Sequence, residues 1–457
     1  MLLRFTVENY LSFNDEASIS LVATADRSHP NHLYGTDDER RPAALRIAAV
    51  YGANGHGKSK LVEAITALQR HVRGKGWRHA PFKLDPASAK KPTKMIMEFR
   101  FDNHDFEYGT VIEKDHVAEE WLFATDASKK EEKIFERATK RTEDNKFKTT
   151  VTSGKALSAL PSPSDGVRMP LFIKVLGSSL KPTESFISKS DDHDLGLASQ
   201  AFKWFDDILT PVSATSSYAA LFDRMSDEET FRKFIGEYMM RCDIGIERIE
   251  SHRRKLDLAI LDSMPTSFRS EVEQLDNASA MEIGGNEGSS MKIEKDDEGQ
   301  VYVRDVASIR RNVNGDIVKF SLDEESSGTR RLFDLLPMIS DAGDERVYVV
   351  DELDRKLHPL LAYEFVQSFV NSSSTQLVFT THNTYLMSLD LLRRDELWFV
   401  QKKPDGSSDL YSLSEMKVRN DLNIRKGYIS GRFGAIPFIG SAADLGLSKS
   451  ERSRGAN

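Results

Sequence analysis

Residues 52–59 read Gly52-Ala53-Asn54-Gly55-His56-Gly57-Lys58-Ser59, a full match to G-x-x-x-x-G-K-[ST]. The stretch before it, Ile47 to Tyr51, is apolar and reads as a buried strand, and from Lys58 onward Leu61, Val62, Ile65, Leu68 and Val72 recur at helical spacing. A strand, a glycine loop and a helix in that order make a phosphate cradle. The glycines let backbone amides approach an anion, and the helix N-terminus adds positive potential. In such a cradle Lys58 reaches the β- and γ-phosphates and Ser59 offers a hydroxyl to Mg²⁺, while Gly52, Asn54, Gly55, Gly57 and Lys60 complete the ATP-binding loop. A chance glycine-rich turn has no reason to carry these flanks.

Three further segments could converge on a triphosphate. Val347-Tyr348-Val349-Val350 is an apolar strand that ends in Asp351-Glu352, where a strand C-terminus would deliver two carboxylates to a nucleotide crevice. Asp351 is expected in the Mg²⁺ shell and Glu352 is expected to polarise the attacking water. Apolar strands ending in acids are commonplace, and only the phosphate loop gives this one meaning. Ser326, Ser327 and Gly328 precede an apolar helix 25 residues upstream of Asp351. Alone they are a helix cap; beside the other motifs, their hydroxyls and amides form an anion site. Thr380-Thr381-His382-Asn383 follows the apolar Leu377-Val378-Phe379, so His382 sits at a strand end beside the γ-phosphate. A lone histidine is usually structural, but its order after the two carboxylates places it with Lys58 and Glu352 among the catalytic residues.

The elements that must position these groups alternate. Leu2, Phe5 and Val7 suggest an N-terminal strand, and Met95–Phe101, Phe106–Ile112 and Val117–Phe123 read as an antiparallel meander. Leu157 to Asp165 is a Ser/Pro loop, Ser199 to Leu275 has helical periodicity, and Asp276 to Gln300 is a polar connection or hairpin. Strands are expected at 301–306, 317–320, 346–350, 376–380 and 396–400, with helices at 328–339 and 360–371. The expected division is an N-terminal lobe over 1–175, a predominantly helical insert over 176–300 and a C-terminal lobe over 301–457.

The chain has 457 residues with 29% charged and 39% hydrophobic, which suits a globular protein of several units and not a disordered or collagenous one. The net charge of −8 argues against a wholly basic nucleic-acid binder. Arg70, Arg73, Lys75, Arg78, Lys83, Lys90, Lys91 and Lys94 nevertheless form a basic stretch interleaved with Trp77 and Phe82, which could lie along phosphates or be a solvated loop with packing aromatics. Cys242 is the single cysteine, so neither an internal disulfide nor a cysteine zinc cluster is expected, in keeping with a cytoplasmic protein. No uninterrupted run of about 18 apolar residues occurs, and no membrane span is expected.

On these motifs the chain resembles the ABC-type P-loop ATPase heads of the SMC, RecF and overcoming-lysogenisation-defect families. More narrowly, it resembles the abortive-infection AAA ATPases of the RloA type. Residues 1–70 and 320–440 carry the likeness, including Arg4 to Phe13 and the tail Arg425 to Pro437. The resemblance implies an α/β P-loop head with a mixed sheet, flanking helices, an antiparallel meander and a helical insert. It further implies that Ser326, Ser327 and Gly328 serve as the signature that caps the γ-phosphate held by a second protomer. Ser327 departs from that pattern, since two consecutive glycines usually follow the signature serine, and His56 replaces a smaller residue in the phosphate loop.

What the resemblance implies about function is an ATPase that forms a homodimer or higher homo-oligomer around Mg·ATP and controls a separate effector in antiviral defence. Overcoming-lysogenisation-defect relatives carry a Toprim-type nuclease after the ATPase. No Asp-x-Asp follows His382, so the expected nuclease is a separate polypeptide. A DNA-binding repair clamp is the alternative, with DNA as partner, although the long heptad arms of true SMC proteins are missing. A transporter subunit fits poorly with the long excursion between Lys58 and Asp351, and a phosphotransferase fits poorly with a water-activating carboxylate pair.

Overall fold

A computed structural model describes residues 1–437 apart from 36–40, 165, 216–220, 257–265, 278, 286–287, 341–344, 373–374 and 418–422. The expected C-terminal lobe is thus described to residue 437, and the rest of its span lies outside the described residues.

The centre is a six-stranded sheet. Ile47–Tyr51 lies between Gln376–Thr380 and Leu397–Lys402, beyond Gln376–Thr380 come Val347–Val350 and Leu209–Val212, and Ser408–Ser412 closes the other edge. All pairings are parallel except the last, of Ser408–Ser412 with Leu397–Lys402. Every residue of Ile47–Tyr51, Val347–Val350 and Gln376–Thr380 is buried, as continuous apolar runs in a two-faced parallel sheet require. Ala48 and Val50 face the same core as Leu61, Ile65 and Leu68 of the helix Lys58–Val72. Ile47, Ala49 and Tyr51 face the opposite core, with Leu332 of the helix Ser327–Leu335 and Phe365 of the helix Pro359–Ser372. The phosphate-loop helix and the signature helix therefore lie on opposite faces of one sheet, and the loops at the strand C-termini meet between them.

The meander is larger than its sequence suggests. Seven antiparallel strands run in the order Phe147–Ser153, Glu131–Arg141, Val117–Thr125, His104–Ile112, Thr93–Phe101, Leu2–Glu8 and Ala17–Ser20. Phe147–Ser153 is the edge strand and Glu131–Arg141 the strand inside it; both are largely polar with few buried residues, so they lack the apolar alternation that marks a strand.

The segment 176–300, expected to be predominantly helical, carries strands among its helices. Helices occupy Leu197–Lys203, Leu221–Asp227 and Glu229–Arg241, but Leu209–Val212 extends the parallel sheet. Arg248–Lys255, Ser279–Gly285 and Gly288–Lys295 join a separate antiparallel sheet with Val301–Arg311 and Ile317–Ser321. Arg248–Lys255 is almost wholly polar, and its partner strand lies about fifty residues downstream, so distant pairing overrides local propensity. Asp276 to Gln300 contains a hairpin. The Leu157 to Asp165 loop begins inside a short helix, Lys155–Ser158.

Candidate functional site

The phosphate loop turns tightly because two of its glycines take backbone angles that side chains resist. Gly55 has φ +77° and Gly57 has φ +114°. Gly57 is also walled in: a Cβ there would lie 2.3 Å from Ser408 Oγ and 2.7 Å from Ser12 Oγ. At Gly52 a Cβ would lie 2.5 Å from the Val400 carbonyl oxygen. The Ser408 hydroxyl donates to the His56 carbonyl at 2.6 Å, and His56 Nδ1 lies 3.3 Å from the Val400 carbonyl oxygen. The loop is thus buttressed by the two strands Leu397–Lys402 and Ser408–Ser412, which sequence reasoning did not connect with it. Asn54 and Gly55 are exposed at its tip, and Lys60 is half-buried and paired with Glu63 at 2.6 Å.

Lys58 is buried and donates to the carbonyls of Gly52 at 2.8 Å and Ala53 at 3.3 Å. Burial lowers its ammonium pKa, and the fields of Asp351, Glu352 and Asp354 oppose that fall. Ser59 donates its hydroxyl to Asp351 Oδ1 at 3.1 Å across 292 positions of chain. The same Asp351 oxygen accepts from Thr380 Oγ1 at 2.6 Å, and Thr380 Oγ1 in turn accepts the Glu352 amide at 2.8 Å. Thr380 was missed as a functional residue; its signal was a hydroxyl directly after an apolar strand in the motif that contains His382. It fixes the carboxylate loop, where Glu352 adopts the left-handed φ of 48°.

His382 is exposed on the same side. Its pKa is lowered, first by the surrounding protein mass and then by the positive Lys58, against the opposing fields of Asp354, Glu352 and Asp351. The phosphate-loop lysine, both acids and the imidazole therefore share one electrostatic neighbourhood.

The signature segment starts a helix as its serine suggests. Ser326 Oγ accepts the Thr329 amide at 3.1 Å, while Ser326 and Ser327 stay exposed. A Cβ on Gly328 would lie 2.8 Å from the Lys356 carbonyl oxygen, so the signature turn is pressed against the loop that follows Glu352 in the same chain. Arg331, one helical turn on, is buried and donates from Nη2 to the Glu352 carbonyl at 3.3 Å. Of the basic stretch, Lys83, Lys90 and Lys91 are exposed, whereas Phe82 is buried and is a packing anchor.

The donor set fits Mg·ATP. Among the described residues no cluster of three or more His, Cys, Asp or Glu could hold a metal alone. Ser59 and Asp351, in contact at 3.1 Å, are a pair of oxygens that suits Mg²⁺, which keeps waters and phosphates as its other ligands. The cradle around Gly52 and Gly57 has no room for a side chain at either position.

The chain belongs to the family described as "AAA domain, putative AbiEii toxin, Type IV TA system", whose model matches residues 47–388. It is a P-loop ATPase of the abortive-infection AAA type, with an α/β head. Among solved structures it is similar to the SMC head domain from Thermotoga maritima, at 14% identity and a TM-score of 0.37, covering 91% of this chain and 99% of that one. An Smc head domain with an extended coiled coil, bound to the C-terminal domain of ScpA derived from Pyrococcus furiosus, matches at 12% identity with a TM-score of 0.32, covering 90% of this chain and 96% of that one. A comparison with curated proteins finds no match. Among the described residues no helix is long and apolar enough to cross a membrane.

Proposed function

We propose that the protein is a Mg²⁺-dependent, cytoplasmic ATPase that dimerises around two nucleotides and controls a separate effector, a Toprim-type nuclease, in anti-phage defence. The observation that carries the reading is the Ser59–Asp351–Thr380–Glu352 chain of contacts at the foot of the phosphate loop. In this reading Lys58 exchanges its contacts with the Gly52 and Ala53 carbonyls for phosphate oxygens. Ser59 and Asp351 hold the metal, which when bound neutralises charge on the β- and γ-phosphates. Glu352 orients and deprotonates water, and neutral His382 accepts a hydrogen bond from it. Ser326, Ser327 and Gly328 of one protomer close the site of its partner.

The test is Glu352→Gln. With MgATP this variant should run as a dimer in light scattering while the nucleotide-free protein stays monomeric. A variant that remains monomeric with saturating ATP contradicts the two-protomer site. A second reading, an ATP-driven DNA clamp, is favoured by the exposed Lys83, Lys90 and Lys91. It requires ATP-dependent DNA affinity that falls steeply with salt, and no DNA binding at low salt removes it.

A further inference from the structure

We propose that the cavity roofed by residues 75–78, beside the phosphate-loop helix, is the nucleoside end of the nucleotide site, with Trp77 as the wall against which the base lies. This rests on the ATPase reading above and adds to it a residue that selects nucleotides over bare polyphosphates.

The cavity holds about 450 Å³ and runs from Ser59 and Asp351 at one end to Tyr10 and Trp77 at the other. Its floor is one stripe of the helix Lys58–Val72, on which Ser59, Glu63, Thr66 and Arg70 recur at three- and four-residue intervals. At a rise of 1.5 Å per residue that stripe covers roughly 16 Å, a reach that suits a nucleoside triphosphate more than a phosphate ion. The metal end is fixed by the Ser59–Asp351 contact. A triphosphate held by the loop amides has its α-phosphate at the first turn of this helix, and the stripe leads from there to Trp77.

Trp77 is built to be a stacking wall. Its ring is half-buried, lies beside Tyr10 of the same cavity with centroids 5.4 Å apart, and meets His71 in an edge contact at 5.9 Å. A ring held by two aromatic neighbours loses little freedom when a base covers it. The cavity's charge suits an anionic ligand. Arg70, Lys75 and Arg78 line it, all three are exposed, and none makes an ion pair with a described residue. The one acidic side chain on the stripe above Asp351, Glu63, is already neutralised by Lys60.

The experiment compares ATP and inorganic tripolyphosphate, both with Mg²⁺, by calorimetry and by tryptophan fluorescence on the full chain. The sequence has 4 tryptophans, so Trp77→Phe and Trp121→Phe assign the signal. The proposal expects ATP to quench the wild type and the Trp121→Phe variant but not Trp77→Phe, which keeps an aromatic wall and near-normal ATP affinity. Trp77→Ala should lose about tenfold in ATP affinity and nothing in tripolyphosphate affinity. If Trp77→Ala does not fold, the Trp77→Phe quench decides. Unchanged ATP affinity in Trp77→Ala, an equal loss for both ligands, or quenching by a single-stranded oligonucleotide in place of ATP overturns the proposal. A wild type that binds neither ligand overturns the ATPase reading itself, an outcome separate from a wild type that binds ATP without involving Trp77.

Discussion

Lys58 and His382 illustrate how one pocket sets two protonation states. Lys58 sits among three carboxylates that hold its charge against burial, whereas His382 feels that same lysine as a reason to stay neutral. A folded-state pKa below 6.5 means that the His382 imidazole takes its proton only on the acid side of that value in the nucleotide-free chain. Its NMR titration should therefore have a midpoint below 6.5, and a midpoint above it contradicts the placement beside Lys58. Lys58→Ala removes the ammonium proposed to meet phosphate and should weaken ATP binding at least tenfold in calorimetry. The chemistry-bearing residues were legible because the phosphate loop fixes its own type and spacing, and the strand-end acids follow from an apolar run. Thr380 and Arg331 were not legible in the same way. Each acts through a contact to a residue at least 21 positions away, with no local pattern to announce it.

At the level of elements, the phosphate loop depends on its buttress. Gly55 and Gly57 both have positive φ, but a Cβ on Gly55 meets nothing within 4 Å, while one on Gly57 collides with Ser408 and Ser12. Gly57→Ala should lower the melting temperature and abolish ATP binding, and Gly55→Ala should do less of both. Equal effects in calorimetry would mean that backbone strain alone sets the cost. The helix behind the loop carries a second liability. His71 is fully buried with neither ring nitrogen hydrogen-bonded, and burial, reinforced by Arg137, brings its pKa down to about 3. Between that value and the unfolded value of 6.5 the unfolded chain binds a proton that the folded chain refuses. Unfolding free energy should then fall by roughly 1.4 kcal/mol per pH unit as the solution is acidified through this window. His71→Leu should flatten that slope in denaturant titrations at several pH values, and an unchanged slope contradicts the assignment. The elements themselves were readable where burial enforces a period. The central strands and the helices at 58–72 and 359–372 follow from their apolar patterns. Polar strands such as Arg248–Lys255 and Glu131–Arg141 could not be read, because their stability comes from partners and not from composition.

Across the whole molecule, the sheet order matters more than any single strand. The phosphate-loop strand and the Asp351 strand are not neighbours; Gln376–Thr380 runs between them and brings Thr380 to both acids. That arrangement lets residues separated by 292 positions share a hydrogen bond. It also places the signature helix on the opposite face, where Gly328 presses on the backbone after Glu352 and Arg331 holds the Glu352 carbonyl. In the proposed dimer, a partner's nucleotide that engages Ser326 would lie one short element away from Glu352, the proposed base of the same chain. The most direct test of the account is MgATP turnover by the wild type and by Glu352→Gln under saturating nucleotide. The expected result is hydrolysis by the wild type and a rate at least about a hundredfold lower in the variant, with ATP binding retained. Turnover by the variant at the wild-type rate would contradict the assignment of Glu352 and the active site built around it.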